Sequence, residues 1–300
     1  MKILLTGKNG QVGFELRRSL AVVGEVIAIG SDVCDFRDPA AVRSLDRDAA
    51  PDAIVNPAAY TAVDNAEGDR AAAWAINADA PGVLAEEAQR SGAVMVHFST
   101  DYVFDGGKSG SYTEDDLPNP QNVYGETKLA GERAVLGACN RSFVLRTSWV
   151  VGAHGNNFAK TMLRLAAERD SLGVVADQIG APTSAALLAD WTAHLLHRAL
   201  RGPSDPPFGV YHAVASGATS WHAYACHVIE RAREAGAPVR VRREGIRAIT
   251  TADFPVAAKR PLNSRLDNSR LQAVFGLRAP PWQDGVDHVL DEVLPMRAKK

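Results

Sequence analysis

Short, nearly continuous apolar runs alternate with longer amphipathic stretches through the first half of the chain. The runs "KILLT" (2–6), "VIAIG" (26–30), "AIVNPA" (53–58), "VMVHFS" (94–99) and "FVLRTSWV" (143–150) are too short for helices and rich in Val, Ile and Leu. That is the pattern of strands buried on both faces. Between them, "VGFELRRSLAVVG", "DPAAVRSLDRDAA", "DRAAAWAINADAPGVLAEEAQRSG" and "NVYGETKLAGERAVLG" carry Ala, Leu and Glu at helical spacing. Strands and helices taking turns in this way predict parallel strands with helical crossovers, a doubly wound α/β sheet.

Beyond residue 150 the alternation loosens. "PSDPPFG" (203–209) and "RAPPWQDG" (278–285) predict loops, and "KRPLNSRLDNSRL" (259–271) matches no strand or helix of the first half. The expected organisation is an α/β unit over 1–150 and a smaller C-terminal portion over 151–300 packed against the sheet, with segments that cross back. Composition keeps this globular: 46% hydrophobic and 23% charged residues over 300 positions. A formal net charge of -2 and a single basic run, the closing "RAKK", give no argument for nucleic acid. Cys34, Cys139 and Cys226 lack metal-ligand spacing and suit a reducing compartment. No run approaches the ~18 apolar residues of a membrane span, and "MKILLTG" is too short for a signal core. The expectation is a cytoplasmic protein with no membrane partner.

The first strand leads into "TGKNGQVGFEL", with Gly7, Gly10 and Gly13 ahead of a helix. A diphosphate needs a tight turn, a backbone that lets it approach and a helix N-terminus aimed at the anion. Glycines at a spacing of three supply these, although the spacing departs from the usual G-x-G-x-x-G. The acid expected about 20 residues later to hold a ribose has two candidates in "IGSDVCDF", Asp32 and Asp35. No arginine immediately grips a 2′-phosphate there, so the choice between NADH and NADPH stays open.

"NVYGETKLAGE" places Tyr124 four residues before Lys128, which makes them neighbours on a helix, Cβ atoms about 5–6 Å apart. An ammonium beside a phenol favours the phenolate. Lowering a tyrosine from near 10 to neutrality takes about 3 units, roughly 4 kcal/mol. A tyrosine tuned in this way gives a proton to a carbonyl as hydride arrives. The spacing alone is uninformative, but "FSTDYVFDG" closes a buried strand with Ser99, Thr100, Asp101 and Tyr102. Ligands in open α/β sheets bind at such carboxyl ends.

The glycine pattern, the strand-end hydroxyls and Tyr-x-x-x-Lys resemble the extended short-chain dehydrogenase/reductases. "GKNGQVG", "NPAAYTAVDNAE", "FSTDYVFDG", "YGETKLAGE", "LRTSWV", "QIGAPTSA" and "RPLNSRLD" jointly resemble the dTDP-4-dehydrorhamnose reductases, over residues 7 to 267. The resemblance implies a Rossmann-type sheet with a small substrate-binding portion. It implies reduction of the C4 keto group of a dTDP-4-keto-6-deoxy-L-hexose to dTDP-L-rhamnose with NADPH or NADH. Under it, Tyr124 is the acid, Lys128 its tuner and ribose anchor, and Thr100 orients the carbonyl. Gly7, Gly10, Gln11 and Val12 meet the diphosphate, Asp35 and Phe36 the adenine, and Ala59, Tyr60 and Thr61 the middle of the cofactor. Thr100, Asp101, Trp149, Asn156 and Arg260 face the nucleotide sugar. Some relatives share a carboxylate-bound magnesium between subunits. Here Glu15 is present but Ala186 stands where a second acid is needed, so no metal is expected and the chain is monomer or homodimer. The alternatives are another nucleotide-sugar reductase or epimerase on this scaffold, or a non-catalytic regulatory subunit.

Overall fold

Each apolar run of the first half forms a strand in the computed structural model, which describes residues 1–294; the "RAKK" run lies outside them. In chain order the elements that build the site are β1 (Lys2–Leu5), α1 (Gln11–Leu20), β2 (Glu25–Ala28), α2 (Pro39–Ala49), β3 (Ala53–Asn56) and α3 (Ala80–Ser91). They continue with β4 (Val94–Thr100), α4 (Val123–Ala138), β5 (Ser142–Thr147), α5 (Ala185–Arg201) and β6 (Gly209–His212). All six strands run parallel in the order β2-β1-β3-β4-β5-β6. The order reverses between β1 and β3, and a crevice opens there outside the carboxyl ends of the strands.

Two apolar layers hold the sheet. On one face Leu16 and Leu20 of α1 pack with Leu188 and Leu195 of α5 against Ile3, Val55 and Val96. On the other, Val42 of α2, Leu84 and Ala88 of α3 and Val135 of α4 cover Leu4, Ile54 and Met95. Each such Leu or Val, removed from water, contributes about 1.5–3 kcal/mol before entropy is counted. Local signals agree with the packing. Asp38 caps α2 by accepting from the Ala40 and Ala41 N–H groups, with Pro39 in the first turn.

The second half builds a further core from Val151, Leu172, Val174, Tyr224, Val228 and Val286. Leu172–Val175 pairs in parallel with Ile246–Ile249 to one side of it. The chain also returns to the main sheet: α5, β6 and Leu271 belong to the same core as β1 and β3. Two expectations change. No strand was expected at 209–212, yet β6 extends the sheet beyond β5. The stretch 278–285 is a loop only in its first part, because helix Trp282–Val293 starts inside it with Pro281 at the N-cap.

Candidate active site

A cleft of about 770 Å³ follows the carboxyl edge of the sheet at the point where strand order reverses. Gly7, Gly10, Gln11 and Val12 line it after β1, Asp35 and Phe36 after β2, and Ala59, Tyr60 and Thr61 after β3. Tyr124 and Lys128 of α4 line the far end, and Asn156 reaches in from the second half.

The loop at its base is set by contacts only glycine allows. Gly7 has φ 60, and a Cβ on Gly13 would stand 2.0 Å from the Gly7 carbonyl oxygen. Gly10 is the N-cap of α1 and offers no side-chain cap. The first-turn N–H groups at the positive end of the helix dipole are therefore left for another acceptor. Gln11 also accepts from Asn157 at 2.9 Å, tying this turn to the second half.

Next along the cleft, Asp35 is clasped by Arg37, Nη2 to Oδ2 at 2.7 Å. That guanidinium holds the carboxyl down at about 2. Arg37 itself lines the cleft, so an arginine does stand at this end, two residues past the acid. Asp32 turns instead to Lys8 at 2.9 Å. In the middle, Asn77 accepts from the Tyr60 N–H (2.8 Å) and donates to Thr127 on α4 (3.1 Å). It thereby pins the 59–61 loop to the helix that carries Tyr124. Asn77 sits in a π-helical turn, Ala75–Asp79, ahead of α3, a kind of insertion frequent at functional sites.

At the far end, Asn122 caps α4 by accepting from the Gly125 N–H at 2.8 Å. A Cβ on Gly125 would lie 2.2 Å from the Tyr102 carbonyl oxygen, so a glycine there lets α4 settle on the turn after β4. This sets Tyr124 by the turn after β4, where the Thr100 hydroxyl favours its ionised form against the burial that opposes it, and edge-on to Tyr102, ring centroids 5.5 Å apart. Thr100 also donates to Asp101 at 3.1 Å, and burial pushes the Asp101 carboxyl up to about 6. Ser99 Oγ and Thr147 Oγ1 are buried at the cleft wall with no partner. Such orphaned groups await a polar ligand.

The lysine behaves differently from the sequence argument, in which its ammonium lowers the tyrosine. Burial pushes the Tyr124 phenol up to about 12 and the Lys128 amine down to about 8. The amine donates to the Phe98 carbonyl at 2.6 Å and lies 3.3 Å from His97 Nε2. Desolvation opposes charge on either group and outweighs their mutual effect here.

Of the expected site residues, Thr100 and Asp101, both buried, and Trp149 and Arg260 stand apart from the lining residues. Trp149, at the end of β5, has φ 48 and stacks on Trp221 at 3.6 Å. A non-glycine residue in the left-handed region is strained backbone of the sort found at functional sites. Arg260 pairs with Asp64 at 2.5 Å, and the neighbouring Lys259 carbonyl accepts from Asn122 at 2.8 Å. The late segment thus reaches the start of α4. Glu15 bonds Arg18 at 3.4 Å, and Arg18 also reaches Asp190 at 3.1 Å.

The residues fit a dinucleotide: an uncapped helix N-terminus, a cleft long enough to join it to Tyr124, and unpaired hydroxyls at the reactive end. Together fold and cleft define a short-chain dehydrogenase/reductase. The chain belongs to the family described as the RmlD substrate binding domain, whose profile matches residues 1–294. It is 49% identical to the dTDP-4-dehydrorhamnose reductase of Escherichia coli (strain K12), covering 99% of this chain and 100% of that one. It is 48% identical to the enzyme of the same name from Burkholderia thailandensis, covering 98% and 99%. Among solved structures, the dTDP-4-dehydrorhamnose reductase of Bacillus anthracis in complex with NADP superposes with a TM-score of 0.88 at 36% identity. That match covers 97% of this chain and 99% of that one.

Proposed function

We infer that this protein reduces the C4 ketone of dTDP-4-dehydro-L-rhamnose to the alcohol of dTDP-L-rhamnose, with NADPH or NADH as reductant. The observation that carries the assignment of roles is the placing of Tyr124 and Lys128 together at one end of a cleft that starts at an uncapped, glycine-gated helix. The family and the near-complete coverage of reductases at 48–49% identity support the substrate.

The first-turn N–H groups after Gly10 hold the diphosphate, Asp35 and Phe36 flank the adenine, and Tyr60, pinned by Asn77, closes over the middle. Lys128 and Tyr124 would hold the reduced nicotinamide, which would supply the hydride for C4. Thr100, turning its one hydroxyl proton away from Asp101, would donate to the carbonyl oxygen and fix its direction. Tyr124, whose high pKa keeps its proton in place at neutral pH, delivers that proton to the oxygen, so ketone becomes alcohol with hydride and proton both accounted for. Lys128 then sits beside the phenolate until it is reprotonated. Asp101 and Trp149, with Asn156 and Arg260, flank the sugar nucleotide. The protein is cytoplasmic and a monomer or homodimer in this reading; among the described residues no helix is long and apolar enough to cross a membrane.

The test is loss of NADPH absorbance with dTDP-4-keto-6-deoxy-L-hexose made by a dehydratase and an epimerase. Oxidation dependent on the epimerase is expected. Tyr124→Phe should retain NADPH binding while turnover falls about 10²-fold or more. Cofactor binding without oxidation by either nicotinamide would overturn the activity, and undiminished turnover in the Phe variant would remove Tyr124 from it.

A further inference from the structure

The indole of Trp149 is shut in on both faces. On one side it stacks on Trp221, with ring centroids 3.6 Å apart and planes 13° from parallel. On the other lies Gly180. A Cβ built there would stand 2.6 Å from Trp149 Cε2 and 2.9 Å from each of Cζ2 and Nε1, the ring atoms that flank it. A point in the ring plane outside Cε2 would be closer to those two neighbours than to Cε2 itself, so the Cβ direction falls on a face of the ring. It is the face away from Trp221, because inside a 3.6 Å stack the Cβ would meet Trp221 first.

Chain pairing builds this slot. Val150–Val151 pairs in parallel with Thr183–Ser184, and the Trp149 carbonyl accepts from the Thr183 N–H at 3.2 Å. The 179–184 segment is thereby drawn alongside the indole. Gly180 and Ile179 pair antiparallel with Thr219 and Ser220, and the next residue is Trp221, first of the helix Trp221–Glu234. Both walls of the slot thus come from one antiparallel bridge. Trp221 is itself held in place. Its Nε1–H donates to Gln178 Oε1 at 3.1 Å, and the Phe158 ring packs on it with centroids 4.6 Å apart. Such walls account for a tryptophan at φ 48, since strained backbone persists only where its surroundings over-determine it.

We propose that Gly180 and Trp221 are positioning residues for sugar recognition: they cover both faces of Trp149 and leave only its rim, with the Nε1–H, to meet the nucleotide sugar. The proposal rests on the placing of Trp149 beside the sugar given above and specifies how it acts there. A ring that met the sugar face-on would offer an apolar surface. A rim offers one polar atom, and an indole nitrogen only donates. The indole is half-buried, and its N–H has no acceptor among the described residues. A sugar oxygen set against that N–H gains a hydrogen bond, whereas a ligand without the oxygen leaves the donor unpaired. Trp149 then selects its sugar by the position of one oxygen, and the two walls fix where that oxygen has to be.

The geometry also says what a methyl group at Gly180 does. Its nearest neighbours are ring atoms of Trp149, and the indole cannot retreat, because Trp221 and then Phe158 stand behind it. The indole must turn in its slot, and the N–H turns with it.

The test is calorimetric titration of the full chain with dTDP-L-rhamnose and with dTDP, which lacks the sugar. Benzothienylalanine at position 149 exchanges the N–H for sulfur and keeps the ring. It should weaken dTDP-L-rhamnose about tenfold, the worth of one hydrogen bond, and leave dTDP unchanged. Gly180→Ala and Trp221→Leu should weaken dTDP-L-rhamnose to a similar extent, raising KM for the keto sugar with NADPH and dTDP binding unchanged, and Trp221→Phe should restore most of the loss. In Gly180→Ala, which keeps both indoles, the exciton-coupled circular dichroism of the stacked pair should diminish. Undiminished dTDP-L-rhamnose binding in the benzothienyl protein would make the contact an apolar one. Equal losses of dTDP and dTDP-L-rhamnose in Gly180→Ala and Trp221→Leu would reduce both residues to packing. Either result overturns the proposal and leaves the proposed activity standing. A parent protein that binds dTDP-L-rhamnose no better than dTDP would overturn the assigned sugar, and this role with it.

Discussion

Alanine at Gly13 and alanine at Gly10 should separate the two tasks of the glycine loop. At Gly13 a Cβ would stand 2.0 Å from the Gly7 carbonyl oxygen, 2.7 Å from its carbon and 3.1 Å from Lys8 Cα. Those atoms are all backbone, so no side chain can rotate away. Ordinary contact begins at 3.4 Å, and the loop must shift by more than an ångström against α1. Overpacking of that kind costs about 1–3 kcal/mol. At Gly10 the same methyl meets only the Gly7 oxygen, at 3.5 Å, and φ is -79, so the fold accepts it while the diphosphate loses room. For Gly13→Ala the expected fall in Tm is roughly 2–8 °C, with NADPH binding weaker by about tenfold or more. For Gly10→Ala the Tm should stay within about 1 °C while NADPH binding weakens. Scanning calorimetry and a fluorescence titration of NADPH read both quantities. A Gly10→Ala variant that melts as early as Gly13→Ala, or a Gly13→Ala variant that matches the parent, would refute the reasoning.

Asp35→Asn removes the carboxylate that occupies Arg37 and frees a guanidinium in the cleft wall, so kcat/KM for NADPH over NADH should rise by about tenfold, the worth of one charge-assisted hydrogen bond; an unchanged ratio would place the 2′-position elsewhere. Glu132→Ala leaves Arg146 buried at 5% side-chain exposure without its partner and should cost about 3–5 kcal/mol in a urea titration. Asp101 is held at about 6, above the ordinary ~3.9. Its folded pKa is raised, so its contribution is fully present below about pH 4 and falls by about 3 kcal/mol as pH climbs to about 6. Asp101→Asn should flatten that slope, and urea midpoints for both proteins at pH 4 and pH 7 would show whether it does.

The sheet was legible because its evidence is local. Val, Ile and Leu in runs of about five, separated by helical spacing, mark strands wherever both faces are covered, and β1 to β5 fall on the five apolar runs. β6 escaped because "GVYH" follows a proline-rich loop and belongs to the sheet only through its pairing with β5. The chemistry divided along the same line. Gly7, Gly10, Gly13, Tyr124 and Lys128 were picked out by where they fall relative to the apolar runs, at strand ends and helix starts, since their spacing alone says little. Asn77 does not: its grip on Tyr60 depends on a π-helical turn that rotates one side chain towards the loop. Arg37 was passed over because position 37 meets the cleft only once the turn after β2 is built. His97 looked like one more residue in a buried strand, and only pairing across β1, β3 and β4 lines it up with Thr6, Asn56 and Lys128.

Charge state is the property that spacing foretold least well. Tyr124 and Lys128 four apart on a helix invite the conclusion that the cation acidifies the phenol, a pairwise argument that takes the surroundings as neutral. In the folded protein Lys128 is buried and Tyr124 half-buried in the cleft wall, and withdrawal from water opposes charge on either. It raises the phenol to about 12 and lowers the amine to about 8. For an acid that must hold its proton until a ketone is in place, the raised value is useful, since a phenol already ionised has nothing to give. Stabilisation is needed afterwards, on the phenolate side of the transfer, and Lys128, one turn along the same helix, is the residue placed to give it. What surrounds that amine, His97 and the Phe98 carbonyl, lies on β4, a strand the motif does not contain.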